Sequence, residues 1–239
     1  LIKHPEITQL YSYKVDIHDY FNSVDTKIIL NLLETTLNDD KLLYDFISRI
    51  ITEPSVQFKD EIITHKKGIM AGVPISGFLA NLYLKELDEW VEERDWMDTL
   101  EKSMLDDNKE KNIVYARYSD DIIVFAPTED LIGEYERKIK SFLTERKLEI
   151  NHRKEYRTKP REPWEFLGFC IDSEGIDLST ISLVKIKDKM RRKSHALVRW
   201  KKRTGACNER AILAFIRQFN RKFYDNPKHH EVTWCRWYF

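Results

Sequence analysis

The chain has 239 residues, 42% of them hydrophobic and 33% charged, with 40 Lys/Arg against 40 Asp/Glu. This is enough for one large or two small domains with a sizeable core, and it excludes a fibrous or disordered chain. No apolar run approaches the roughly 18 residues needed to cross a bilayer, and the first residues show no basic segment followed by an apolar stretch, so neither a membrane anchor nor a secretory leader is expected.

The neutral total conceals an uneven distribution. Residues 184–239 carry 16 Lys/Arg and 4 Asp/Glu, a net +12, so residues 1–183 carry −12. Three scattered cysteines, Cys170, Cys207 and Cys235, point to a reducing cytoplasm. His229 and His230 with Cys207 and Cys235 fit no standard zinc spacing.

Taken in chain order, Tyr11 to Ile17 reads as a strand with Asp16 near its end. Two helices follow, about 25–38 and 40–51, the first with Ile28, Ile29, Leu32 and Leu33 on one side. Val56 to Ile63 reads as a hairpin, and Gly68 to Gly77 as a glycine-rich loop. A helix over 76–95 carries Leu79, Leu82, Tyr83, Leu87, Trp90 and Val91 as a core-facing stripe. The charged stretch Arg94 to Asn112 reads as a loop or frayed helix end. Two β-branched runs, 112–116 and 122–126, predict a hairpin around Tyr118-Ser119-Asp120-Asp121. A helix over 129–146 and short strands up to Asp177 come next. Helices over 182–203 and 208–225 end the chain, with Gly205 as the breaker between them. The fold class expected is α+β: a small antiparallel sheet with helices packed on one side, then a helical segment.

The adjacent carboxylates of Asp120 and Asp121 repel each other at a turn where Asn-Gly or Asp-Gly would be ordinary. A divalent cation would invert that electrostatics; two solvated turn aspartates are the other reading of the motif alone. Asp is also disfavoured within a strand, so Asp16 calls for a reason. If its strand pairs beside the hairpin, three carboxylates converge. Oxygen donors on a rigid sheet suit Mg²⁺, and two such ions about 3.5–4 Å apart clamp the attacking and leaving oxygens of a phosphoryl transfer.

These residues resemble the reverse transcriptase family. Val15-Asp16-Ile17-His18-Asp19-Tyr20-Phe21 is similar to its first palm motif, and Arg117-Tyr118-Ser119-Asp120-Asp121 to its YxDD motif. Gly68 to Leu84 resembles the template-contacting motif, Leu148 to Lys154 the later motif ending in Asn-x-x-Lys, and Phe166-Leu167-Gly168-Phe169 the primer-grip hairpin. Five motifs in the family's order extend over about 160 residues. The resemblance is nearest to bacterial group II intron-type enzymes and their retron- and defence-associated relatives. Two departures stand out: Met70-Ala71-Gly72 replaces the family's Pro-Gln-Gly, and Ser119 replaces the commoner Ala. Only 15 residues precede Asp16, where relatives carry a fingers region, so a fragment of a longer protein is expected.

The resemblance implies a polymerase palm over 1–177 and part of a helical thumb over 178–239. It implies an RNA-directed DNA polymerase that uses two Mg²⁺ ions, with Mn²⁺ as a substitute, an RNA template, a DNA or RNA primer and dNTPs, and that is open to a structured intron or non-coding RNA as partner. Asp16, Asp120 and Asp121 are implied as metal ligands, with the Ile17 carbonyl as a further one. Phe21 is implied to exclude a 2′-hydroxyl; a core phenylalanine is the other reading. Lys154 is a candidate proton donor to the leaving diphosphate, or else a surface lysine beside Arg153. Ser76 and Asn81 are expected along the nucleotide and template path, and Arg117 behind the Asp pair. Asp19 and Asp25 are expected as loop and helix-cap groups. Gly72, Phe166, Leu167 and Gly168 are expected at the nucleic acid. Ten cations against one anion over 185–203, Lys185, Lys189, Arg192 and Lys193 among them, read either as a phosphate-binding helix or as a solvated face. Three other functions compete: a template-independent, defence-associated polymerase, a non-catalytic RNA-binding maturase-like module, and, more distantly, a nucleotide cyclase, which shares a palm-like fold.

Overall fold

A computed structural model describes residues 5–53, 55–58, 61–64, 68–69, 73–105 and 113–220. Met70-Ala71-Gly72, the Lys59-Asp60 hairpin centre and His229, His230 and Cys235 lie outside them. The chain divides into two compact units, Leu1–Ile176 and Asp177–Phe239.

The first unit is built on a four-stranded antiparallel sheet. Its strands are β1 (Tyr11–Asp16), β4 (Val114–Tyr118), β5 (Asp121–Ala126) and β6 (Tyr156–Thr158), in the order β4-β5-β1-β6. β2 (Ser55–Phe58) and β3 (Glu61–Thr64) form the expected separate hairpin. The central strand β5 is apolar after Asp121 because it is buried on both faces. Ile122, Val124 and Ala126 join Tyr13 and Val15 of β1 on one side, under helices α2 (Thr26–Thr36), α3 (Lys41–Thr52), α4 (Pro74–Leu105) and α5 (Glu129–Glu145). The helices contribute Ile29, Leu33, Leu84, Leu87 and Ile139 to this core, all fully buried.

Ile123 and Phe125 point to the opposite face. There they meet Ile7 and the β7–β8 hairpin, formed by β7 (Trp164–Phe166) and β8 (Phe169–Ile171), with Trp164 edge-on to Phe125. The helices thus lie on one side, as expected, but the other side is covered too. An antiparallel sheet with a solvated face would alternate apolar and polar residues, and β5 does not.

Helix starts follow the capping rules. Asp25 opens α2 by accepting from the backbone N–H groups of Lys27 and Ile28, and Asp40 opens α3 through that of Leu43. Asp19 precedes the short helix α1 (Tyr20–Ser23) with φ 46° and accepts from the Asn22 side chain at 2.7 Å. Two expectations about α4 need correction. It begins at Pro74, so Ser76 and Gly77 belong to its first turn and not to the preceding loop, and proline suits that opening position. It also continues to Leu105, ten residues past the expected end and into the charged stretch read as a loop or frayed helix end. From Phe78 to Leu105 there is no glycine or proline, and charge alone does not stop a helix.

In the second unit, α6 (Thr180–Thr204) and α7 (Asn208–Asn220) pack against each other, with Ala211 buried. Gly205 ends α6 with φ 64°, the left-handed cap that glycine adopts without a Cβ penalty. α6 has no buried residue, which is what a helix with ten cations would require. Among the described residues, no helix is long and apolar enough to cross a membrane; Cys170 is half-buried and Cys207 exposed.

Candidate active site

Strand register brings the three aspartates together. β1 pairs with β5 so that Asp16 lies directly opposite Asp121, while β4 and β5 enclose a two-residue turn, Ser119-Asp120. Asp120 is therefore in the turn and Asp121 is the first residue of β5; the pair is not wholly at the tip. Ser119 takes φ 57°, a left-handed value that primed hairpin turns use at their first position. The Asp120 carbonyl accepts from the Ile17 N–H at 3.2 Å, tying the turn to the end of β1.

Like charges directly opposite each other on a sheet are destabilising, and two lysines offset this pair. Lys154 Nζ donates to Asp16 Oδ2 at 2.7 Å, and Lys14 Nζ lies 3.7 Å from Asp121 Oδ1. Asn151 holds Asp16 twice: its side chain donates to Oδ1 at 2.9 Å and its backbone N–H to the Asp16 carbonyl at 2.8 Å. Both carboxylate oxygens of Asp16 thus have a donor, and the residue is only 3% exposed.

The electrostatic cost shows in the neighbours. Burial raises the Asp120 carboxyl above its ordinary range, and the negative charges of Asp16 and Asp121 add to the rise. Burial also raises that of Asp121, with Lys14 opposing and Asp16 adding. Lys154 shifts upward because its hydrogen bond to Asp16 favours the ammonium, so it is a cation at neutral pH.

Among the described residues, no three His, Cys, Asp or Glu side chains are grouped to hold a metal ion as they stand. The strands deliver the three aspartates to one place, but the lysine and asparagine contacts engage Asp16 and Asp121. The donor set nonetheless fits a hard divalent cation in its chemistry: it is all oxygen, is held by two paired strands and the turn between β4 and β5, and carries like-charge repulsion that a cation would relieve.

A bracket lies behind the turn. Arg117 on β4, with its side chain 9% exposed, donates through Nε to Asp88 Oδ1 of α4 at 2.8 Å and through Nη2 to Asp88 Oδ2. Its Nη1 donates to Asn81 Oδ1 at 3.1 Å and to the Ser119 carbonyl at 3.2 Å. Tyr115 donates to Asp88 Oδ1 at 2.8 Å.

The sequence profile described as "Reverse transcriptase (RNA-dependent DNA polymerase)" matches residues 3–171. The chain belongs to the reverse transcriptase family. No curated protein matches it in sequence. Among solved structures it is similar to apo telomerase from Candida tropicalis, with a TM-score of 0.57 and 13% identity over 74% of this chain and 35% of that one. It is also similar to telomerase from Candida albicans in complex with a fragment of telomeric RNA, with a TM-score of 0.53 and 10% identity over 72% of this chain and 31% of that one. Likeness at such identities shows a shared fold. The chain spans about a third of the length of these telomerases.

In this reverse transcriptase chain the remaining expected site residues are distributed as follows. Phe21 is half-buried, its ring 5.8 Å from that of Tyr20, and its carbonyl accepts from the Ile69 N–H at 2.8 Å. Ser76 is buried in the first turn of α4, and Asn81 faces Arg117. Phe166 is 7% exposed and packs beneath the sheet, so it serves the core; Leu167 and Gly168, with φ 50° and 88°, form the tip of that hairpin. Lys185, Lys189 and Arg192 are exposed on α6 and Lys193 is half-exposed.

Sequence reasoning missed Lys14, Asp88 and Asn151. Asn151 was visible as the asparagine of the Asn-x-x-Lys motif. Lys14 and Asp88 carried no local signal, because each acquires its role only from the strand or helix laid against it.

Proposed function

We propose that the chain forms the catalytic palm of an RNA-directed DNA polymerase over residues 1–177, with residues 178–239 as part of its thumb. The observation that carries this is the direct pairing of Asp16 with Asp121, with Asp120 in the adjoining turn, inside a reverse transcriptase family match. Asp16, Asp120, Asp121 and the Ile17 carbonyl would hold Mg²⁺, or Mn²⁺ in its place. When bound, the ions supply charge neutralisation at the reacting phosphate.

The chain's own residues do the rest. Asn151 and Lys154 fix the Asp16 carboxylate, and Lys14 restrains Asp121. Lys154, protonated at neutral pH, is the candidate donor of a proton to the leaving diphosphate, a contribution of roughly 10²–10⁴ in rate. Phe21 stands against the sugar of the incoming dNTP and excludes a 2′-hydroxyl. Lys185, Lys189, Arg192 and Lys193 bind phosphates of an RNA template paired with its primer, and that binding weakens with salt. The motif pattern favours the bacterial group II intron, retron or defence-associated branch.

A second reading has its own observation. Ala71 stands where the family has the glutamine that approaches the template, which favours a defence-type enzyme that polymerises without one.

Primer extension by the full-length protein on oligo(dT)-primed poly(rA) with Mg²⁺, with and without template, tests these readings. Template-dependent extension lost in Asp120→Ala/Asp121→Ala establishes the first. Extension without template moves the assignment to the second. RNA binding with no extension in any lane replaces both with a non-catalytic, maturase-like module.

A further inference from the structure

Asp88 has no place in the reading above, yet it is the hub of the best-connected polar cluster behind the catalytic turn. It sits on α4, 14 residues past the helix's opening proline, and is fixed by three donors: Arg117 Nε, Arg117 Nη2 and the Tyr115 hydroxyl. The fork of the guanidinium matches the carboxylate, which gives direction as well as energy. Burial of the Tyr115 hydroxyl, followed by the negative charge of Asp88, makes Tyr115 harder to ionise, so it remains a donor.

The remaining nitrogen of Arg117 reaches the Ser119 carbonyl, immediately before Asp120 and at the residue with φ 57°. A left-handed non-glycine residue persists only where its surroundings hold it. The same nitrogen binds Asn81, which precedes Asp88 on α4 by about two helical turns. One guanidinium therefore joins α4 to the turn that presents Asp120 and Asp121.

We infer that Asp88 is a positioning residue: through Arg117 it holds the Ser119-Asp120 turn in the conformation that presents the aspartates to a divalent cation. This rests on the metal-dependent reading proposed above. Asp88 touches neither substrate nor metal; it acts by fixing the direction of the Arg117 fork. Loss of such a supporting partner costs about 10- to 100-fold in metal affinity.

The test is Mn²⁺ binding to the full-length protein, followed by electron paramagnetic resonance of the free ion, for the wild type, Asp88→Ala, Asp88→Asn and Arg117→Lys. Circular dichroism at the same temperature restricts the comparison to folded protein. Asp88→Ala is expected to weaken Mn²⁺ binding about 10- to 100-fold. Asp88→Asn keeps an acceptor for Arg117 and should fall between Asp88→Ala and wild type. Arg117→Lys keeps the charge and the α4 contact but cannot span both Asp88 and Ser119, so it should stay folded and still bind Mn²⁺ weakly. Wild-type Mn²⁺ affinity in folded Asp88→Ala or Arg117→Lys overturns the inference and leaves the polymerase reading intact. Absence of saturable binding in the wild type itself overturns both.

Discussion

Gly68→Ala is the substitution whose effect the structure specifies most directly. Gly68 has φ +78°, and a Cβ there would lie 2.3 Å from the Phe21 carbonyl oxygen, 2.6 Å from Asn22 Cα and 2.7 Å from the Asn22 carbonyl carbon. All three are backbone atoms, so no side-chain rotation relieves the overlap. The left-handed conformation costs a residue with a Cβ about 1–2 kcal/mol, and overpacking typically adds about 1–3 kcal/mol, giving about 2–5 kcal/mol in all. Against a total stability of about 5–15 kcal/mol that is a large loss. Urea unfolding of wild type and variant should show a lower midpoint with an unchanged slope. The Ile69–Phe21 backbone hydrogen bond, 2.8 Å long, is the contact that must stretch first, so the folded fraction should also discriminate less well between ribo- and deoxynucleotides. A variant within about 0.5 kcal/mol of wild type would refute the reasoning, because it would mean that the Gly68 loop does not press on Phe21.

Phe21→Ala should raise ribonucleotide incorporation in primer extension, and unchanged sugar selectivity would remove Phe21 from that role. Asp121→Asn should abolish extension yet stabilise the fold at neutral pH. The raised carboxyl means that the folded state binds its proton more tightly than the unfolded chain, so the wild type loses stability as pH rises from the ordinary 3.8 through the raised value, and the variant should not. Glu155→Gln should act in the opposite sense. Partial burial works against the Glu155 carboxylate, but donors on Lys140, His152 and Tyr13 hold its carboxyl down to about 2, so its stabilising effect is complete above the ordinary 4.5 and is lost as pH falls through about 2. Thermal melts of both variants across pH 2–7 check the two signs.

Local signals carried most of the elements. Runs of β-branched and aromatic residues marked β1, β4 and β5, the 3.6-residue stripe marked α4, and Gly205 marked the break between α6 and α7, because each depends on neighbours within one turn or one strand. The end of α4 was placed too early for the converse reason: a dense charge run looks like a loop or a fraying end until the absence of glycine and proline is weighed. The double burial of β5 was open to reading as an all-apolar strand, but its second cover, the β7–β8 hairpin, lies more than 35 residues downstream and leaves no mark on β5 itself.

By itself the sequence determined the chemistry on offer: three aspartates in two motifs, an Asn-x-x-Lys run, and a basic C-terminal helix, since residue type and spacing are local properties. Only the tertiary structure decided how those groups meet. Strand register set Asp16 opposite Asp121, because a slip of one residue would turn every β1 side chain to the other face. Packing of α4 against β4 brought Asp88 to Arg117 across 29 residues of chain, and the return of the chain after α5 brought Asn151 and Lys154 to Asp16 across more than 130. Contacts at such separations arise from the closing of the fold as a whole, and no window of sequence contains both partners.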